Sequence, residues 1–85
     1  MLSSFGAKCI ALEHAKKDWK GFGGLEIMSG GTNLIESERV WEVKICRFPV
    51  TSVALYVYYI NIYTKEIFLK EKQLNIFQNH NLKSN

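Results

Sequence analysis

The chain has 85 residues, 47% hydrophobic and 13% aromatic, with six glycines and one proline. That is material for one small domain and too little for a doubly wound nucleotide-binding fold or a β/α barrel. Eleven Lys and Arg against eight Asp and Glu give a net charge of +3, and the signs are interleaved, which predicts solvated faces rather than the basic stripe of a dedicated nucleic-acid binder.

From Ser3 or Ser4 to Lys20 the pattern is helical. Phe5, Cys9, Leu12, Ala15 and Trp19 recur at spacings of four, three, three and four and are expected to form the buried stripe, with Ile10 and His14 pointing elsewhere. Ser3 or Ser4 can cap the free amides, and Gly21 stands where a left-handed C-cap is expected.

Five of the six glycines fall between positions 21 and 31. Residues 21–39 therefore read as a glycine-rich loop region, with short strands at Leu25–Met28 and Asn33–Glu36. Gly21-Phe22-Gly23-Gly24 does not form a phosphate cradle, because these glycines end a helix and no Gly-Lys-Ser/Thr follows.

Val40 to Phe48 alternates, with Trp41, Val43 and Ile45 on one side and Glu42 and Lys44 on the other, the signature of a half-buried antiparallel strand that Pro49 ends. Val53 to Tyr63 is apolar or aromatic on both faces and reads as the central strand. Thr64-Lys65 reads as a tight turn or part of a three- to five-residue loop, and Glu66 to Lys72 as the returning strand. Residues 73–85 read as a polar, Asn-rich tail. The window 48–64 carries no charge, which opens a membrane-spanning alternative, but four tyrosines and Pro49 argue against it.

Catalysis needs convergent polar groups, and the sequence offers few. His14 and His80 have no nucleophile or ligand partner at a useful spacing, and Glu36, Glu38 and Glu42 read as solvated strand-edge charge. No catalytic residue, metal, cofactor or small-molecule substrate is expected. Cys9 and Cys46 are too few to staple a secreted miniprotein, and a disulfide between them would need the first segment packed against the third. Residues 1–10 lack a charged start followed by a long apolar run, so no secretory signal is expected, and reduced thiols in the cytoplasm are the reading that follows.

An amphipathic helix, the strand Val-Trp-Glu-Val-Lys-Ile (Val40 to Ile45) and the strand and turn Tyr-Ile-Asn-Ile-Tyr-Thr-Lys-Glu-Ile (Tyr59 to Ile67) together resemble the PepSY-like group of small α+β domains over about residues 7–70. In that group the second motif reads roughly Tyr-x-Val-x-Val-Asp-x-x-Thr-Gly-Glu-Ile, and Lys65 stands where its turn carries Gly. The outline is also similar to cystatin-like immunity proteins. Either resemblance implies binding, often inhibition of a protein partner, rather than catalysis.

The sequence thus predicts an α+β domain, an amino-terminal helix packed through Trp41, Val43 and Ile45 on a meander of three to five antiparallel strands. Its expected role is a non-enzymatic protein-interaction module, of inhibitor or immunity type, with a protein partner or a second copy as its target. The expected binding surface is the sheet face carrying Tyr56 and Tyr58, with Glu42 and Lys44 at its rim. The alternatives are a nucleic-acid-binding domain and a small membrane-associated protein acting through residues 48–64.

Overall fold

The Ser3 side chain accepts a hydrogen bond from the Gly6 amide at 3.0 Å and so caps helix α1, Ser4–Asp18, satisfying one of the amides that the first turn leaves free. The computed structural model describes residues 1–73, and the expected polar tail lies outside them apart from Gln73. After α1 come β1 (Gly24–Ile35), a 3-10 turn at Glu36–Glu38, β2 (Val40–Phe48), β3 (Ala54–Asn61) and β4 (Ile67–Lys72). The four strands form one antiparallel sheet in the order β1-β2-β3-β4. The protein is an α+β domain, one helix on a four-stranded meander.

The helix end differs from expectation. Trp19, in an extended conformation, is the C-cap, and its amide bonds the Ala15 carbonyl at 2.9 Å. Gly21 instead leaves room for the Trp19 indole, whose nearest ring carbon would lie 2.4 Å from a Cβ at that position.

The buried stripe of α1 is also rotated from the expected one. Ala7, Ala11 and Ala15 are fully buried, Ile10 and Leu12 pack partly against the core, and Phe5 and Cys9 are exposed. Small side chains at i, i+4 and i+8 let the helix backbone lie close to the sheet. The bulky side chains of the interface come from the strands: Tyr56, Tyr58, Ile45, Ile60 and Val43 are the largest fully buried apolar groups there.

Within the region expected to be a glycine-rich loop with two short strands, Gly24–Ile35 is one continuous strand, and its two paired stretches fall close to the expected short strands. β1 pairs with β2 from Gly24↔Phe48 to Ile27↔Ile45, then resumes from Thr32↔Val43 to Ile35↔Val40. Met28 to Gly31 form a bulge between the two stretches. Gly30 has a φ of 68°, and a Cβ on Gly31 would lie 2.8 Å from the Met28 carbonyl oxygen and 3.0 Å from that of Lys44. Glycine is what lets the excursion close on itself and rejoin the ladder.

β2 has the bounds expected of it, set by its alternation and by Pro49. β3 is shorter than expected, because Asn61 ends it: its side-chain oxygen accepts from the amides of Tyr63 and Thr64 at 2.8 and 2.9 Å. Five residues, Ile62 to Glu66, form the loop, with Lys65 left-handed at φ 65°. The uncharged window 48–64 supplies strand β3 and its flanking turns, and among the described residues no helix is long and apolar enough to cross a membrane.

The amino terminus is fastened to the same end of the sheet. The Leu2 amide donates to the Ile62 carbonyl at 2.8 Å, and the Trp41 indole donates to the Leu2 carbonyl at 2.9 Å.

Candidate functional site

The two sheet faces follow from the strand register. Ile45 pairs with Tyr56, Val43 with Tyr58 and Trp41 with Ile60, and directly opposed residues in an antiparallel ladder point to the same side. Tyr56 and Tyr58 therefore share the helix face with Trp41, Val43 and Ile45, and both are 0% exposed. The expectation that Tyr56 and Tyr58 form the accessible binding face is corrected: they are core, and Glu42 and Lys44 lie on the opposite side. β3 is apolar on both faces, so its own sequence does not mark which face meets the helix.

The buried tyrosines are held by polar groups at their tips. Their rings stack 6.0 Å apart, 11° from parallel. The Tyr56 hydroxyl donates to Asp18 Oδ2 at 2.7 Å, and Asp18 also pairs with Lys72 Nζ at 2.8 Å. The Tyr58 hydroxyl meets His14 Nδ1 at 2.9 Å, and the two rings are edge-on. Residues 14 and 18 are one helical turn apart and residues 56 and 58 one strand repeat apart. Both steps are roughly 6 to 7 Å, so two contacts form in register. His14, expected on the polar side, thus leans over the sheet.

The electrostatics here fit a structural role. Lys72 above all, and then the Tyr56 hydroxyl, hold the Asp18 carboxyl below its ordinary range. Burial first, and the Asp18 charge second, push Tyr58 up to about 12, and burial with the bond to Asp18 raises Tyr56 as well. A raised phenol is a poor base at neutral pH and serves here as a satisfied donor.

Elsewhere, Cys46 is buried in β2 and its thiol approaches the Glu26 carbonyl at 3.6 Å. Burial, and next the Glu26 charge, push that thiol up, away from the thiolate a nucleophile needs. Cys9 and Cys46 are both free. His80 lies outside the described residues. Among those residues, no three His, Cys, Asp or Glu side chains converge to hold a metal ion.

The opposite sheet face is accessible in part: Val57 on it is buried, Glu42, Lys44 and Tyr59 are half-buried, and Phe68 and Lys70 are exposed. Among the described residues there is no second helix or sheet to cover it. Across it Glu42 pairs with Tyr59, Lys44 with Val57, Val40 with Asn61, and Tyr59 with Phe68. Phe68 is 64% exposed. Lys70, two residues beyond Phe68 on β4, lies over Tyr59: its Nζ donates to the phenol oxygen at 2.7 Å and sits 4.7 Å from the ring centroid. The bond to Tyr59, with Glu42 and Glu38 nearby, raises the Lys70 ammonium above its ordinary value.

A shallow groove of about 530 Å³ opens at one end of this face. Val40, Tyr59, Phe68 and Lys70 contribute to its lining, with Glu38 from the 3-10 turn and Glu66 from the β3–β4 connection. Of the expected surface residues, Glu42 and Lys44 are on this face. Tyr59, Phe68 and Lys70 belong to it too, and were missed because pairing parity, not composition, places them there. Compared with known proteins, the chain matches no family model, no curated protein and no solved structure.

Proposed function

We propose that this domain is a non-enzymatic protein-interaction module that binds a segment of a partner protein through the open face of its sheet. One observation carries the reading. The helix occupies only one face of a four-stranded sheet, while the other presents the cross-strand aromatic pair Tyr59 and Phe68, the latter 64% exposed, framed by Glu42, Lys44 and Lys70. Aromatic side chains ringed by charges of both signs suit a protein surface, because rigid aromatics give contact area at low entropic cost and the charged rim sets register.

The nucleic-acid alternative is less well supported by the same face. Lys70 is engaged with Tyr59 and Glu42 stands beside them, whereas a phosphate backbone needs a run of unopposed cations.

The test is selection of binding peptides from a random displayed library against the domain. The selected peptides are expected to lose affinity on Phe68→Ala and Tyr59→Ala and to keep it on Phe5→Ala, which alters an exposed aromatic on the helix. Peptides insensitive to both sheet substitutions would overturn the assignment. So would tight binding of a single-stranded oligonucleotide with a steep salt slope at the same residues.

A further inference from the structure

We infer that the groove at the end of the open face receives a basic side chain of the partner, an arginine before a lysine. This rests on the reading of that face as a protein-binding surface and adds the chemistry of its ligand.

The groove is a local reversal of charge. The chain as a whole carries +3, yet the groove lining holds two carboxylates, Glu38 and Glu66, against one ammonium, Lys70. One N–H of that ammonium donates to the Tyr59 hydroxyl, and the ammonium is held over the Tyr59 ring. Neither Glu38 nor Glu66 forms an ion pair among the described residues. The lining is therefore net negative, and the carboxylates supply most of the hydrogen-bonding capacity left at the rim. Glu66 takes a bond of 3.2 Å from the Thr64 hydroxyl, which steadies the carboxylate and leaves its second oxygen for a ligand.

The apolar lining fits the same ligand. Val40 and Phe68 provide a surface for an alkyl stem, and the exposed Phe68 ring provides a face for a planar cation. Tyr59 is already covered by Lys70, so Phe68 is the ring left for an incoming guanidinium. An arginine satisfies all three elements at once, with stem on Val40, guanidinium plane on Phe68 and N–H fork on a carboxylate. An acidic side chain would meet Glu38 and Glu66, and a purely apolar one would leave both carboxylates partly desolvated without a partner.

The experiment follows the backbone amide resonances of the isotope-labelled domain during titration with a capped Gly-Arg-Gly peptide, and with the same peptide carrying citrulline, which keeps the shape and removes the charge. The arginine peptide is expected to shift the amides of residues 38, 66 and 68 and to bind roughly five- to tenfold more tightly than the citrulline peptide. Glu38→Gln and Glu66→Gln, both at exposed positions, are each expected to weaken it by about two- to fivefold, and Phe68→Ala to weaken arginine more than lysine. Equal binding of the arginine and citrulline peptides, or shifts confined to other residues, would overturn the inference. If library-selected peptides still depend on Tyr59 and Phe68 in that event, the binding-face reading stands and only the basic ligand is lost. If they do not, both fail.

Discussion

Asp18 on the helix and Tyr56 on the central strand are 38 positions apart and joined by a 2.7 Å hydrogen bond, with the Tyr56 ring fully buried and the carboxylate at the surface. The contact pins the last turn of α1 over β3, and Lys72 extends the link to the edge strand at 2.8 Å. Three elements distant in sequence are tied at one carboxylate.

That carboxylate makes the fold sensitive to acid. Its proton affinity is lowered in the folded state, chiefly by Lys72 and then by Tyr56. The unfolded chain therefore takes up the proton first, so the stabilisation is present above the ordinary value of 3.8 and is lost as pH falls through the depressed folded value. Denaturant midpoints measured from neutral pH downward should decline along this limb in the wild type. Asp18→Asn should start lower and show a shallower decline.

Tyr58 acts at the other end of the scale. Its phenol is pushed up to about 12 by burial and by the Asp18 charge, against 10.0 for the free group. Above pH 10.0 the unfolded chain has released a proton that the folded one keeps. Stability is full below that pH and is lost as pH rises through about 12. The part of the phenolate absorbance that belongs to the two buried tyrosines should appear late and together with unfolding, and Tyr58→Phe should flatten this alkaline limb in part, with Tyr56 supplying the remainder.

The bulge in β1 separates two glycine substitutions. A Cβ on Gly31 would strike backbone carbonyls of both Met28 and Lys44, whereas one on Gly24 would have nothing within 4 Å. Gly31→Ala should cost about 1–3 kcal/mol by displacing paired backbone. Gly24→Ala should stay within about 0.5 kcal/mol. Thermal or denaturant unfolding of the two variants checks the difference.

The left-handed Lys65, φ 65°, bears a side chain in a region that disfavours one by about 1 kcal/mol or more. Lys65→Gly should therefore be stabilising by up to about 1 kcal/mol after the greater freedom of glycine in the unfolded chain is counted. A β-branched residue there, as in Lys65→Val, should be destabilising by about 1–2 kcal/mol. Equilibrium unfolding of both variants reads the sign.

The open-face assignment itself came from pairing rather than from residue type. Glu42 and Lys44 were legible as outward residues because β2 alternates, but Tyr59, Phe68 and Lys70 join them only through the register Glu42↔Tyr59 and Tyr59↔Phe68. The helix stripe shows the same limit. A period of 3.6 fits both the expected stripe through Phe5 and Cys9 and the observed one through Ala7, Ala11 and Ala15, and the choice between them depends on what the sheet presents.

By itself the sequence determined the helix and the three strands after residue 39, because these depend on local chemistry: the serine cap, the alternation of Val40 to Phe48, the stop at Pro49 and the β-branched, aromatic run of the central strand; the continuous strand β1 was not legible behind its glycines. It also determined the α+β class, since one amphipathic helix followed by such strands has few ways to bury its apolar surface. Only the tertiary structure decided which side of each strand is inside. That choice is made between strands, by a register in which one step reverses every side chain, and by three alanines whose small size admits two tyrosine rings beneath the helix. The same choice leaves Tyr59 and Phe68 on the open side.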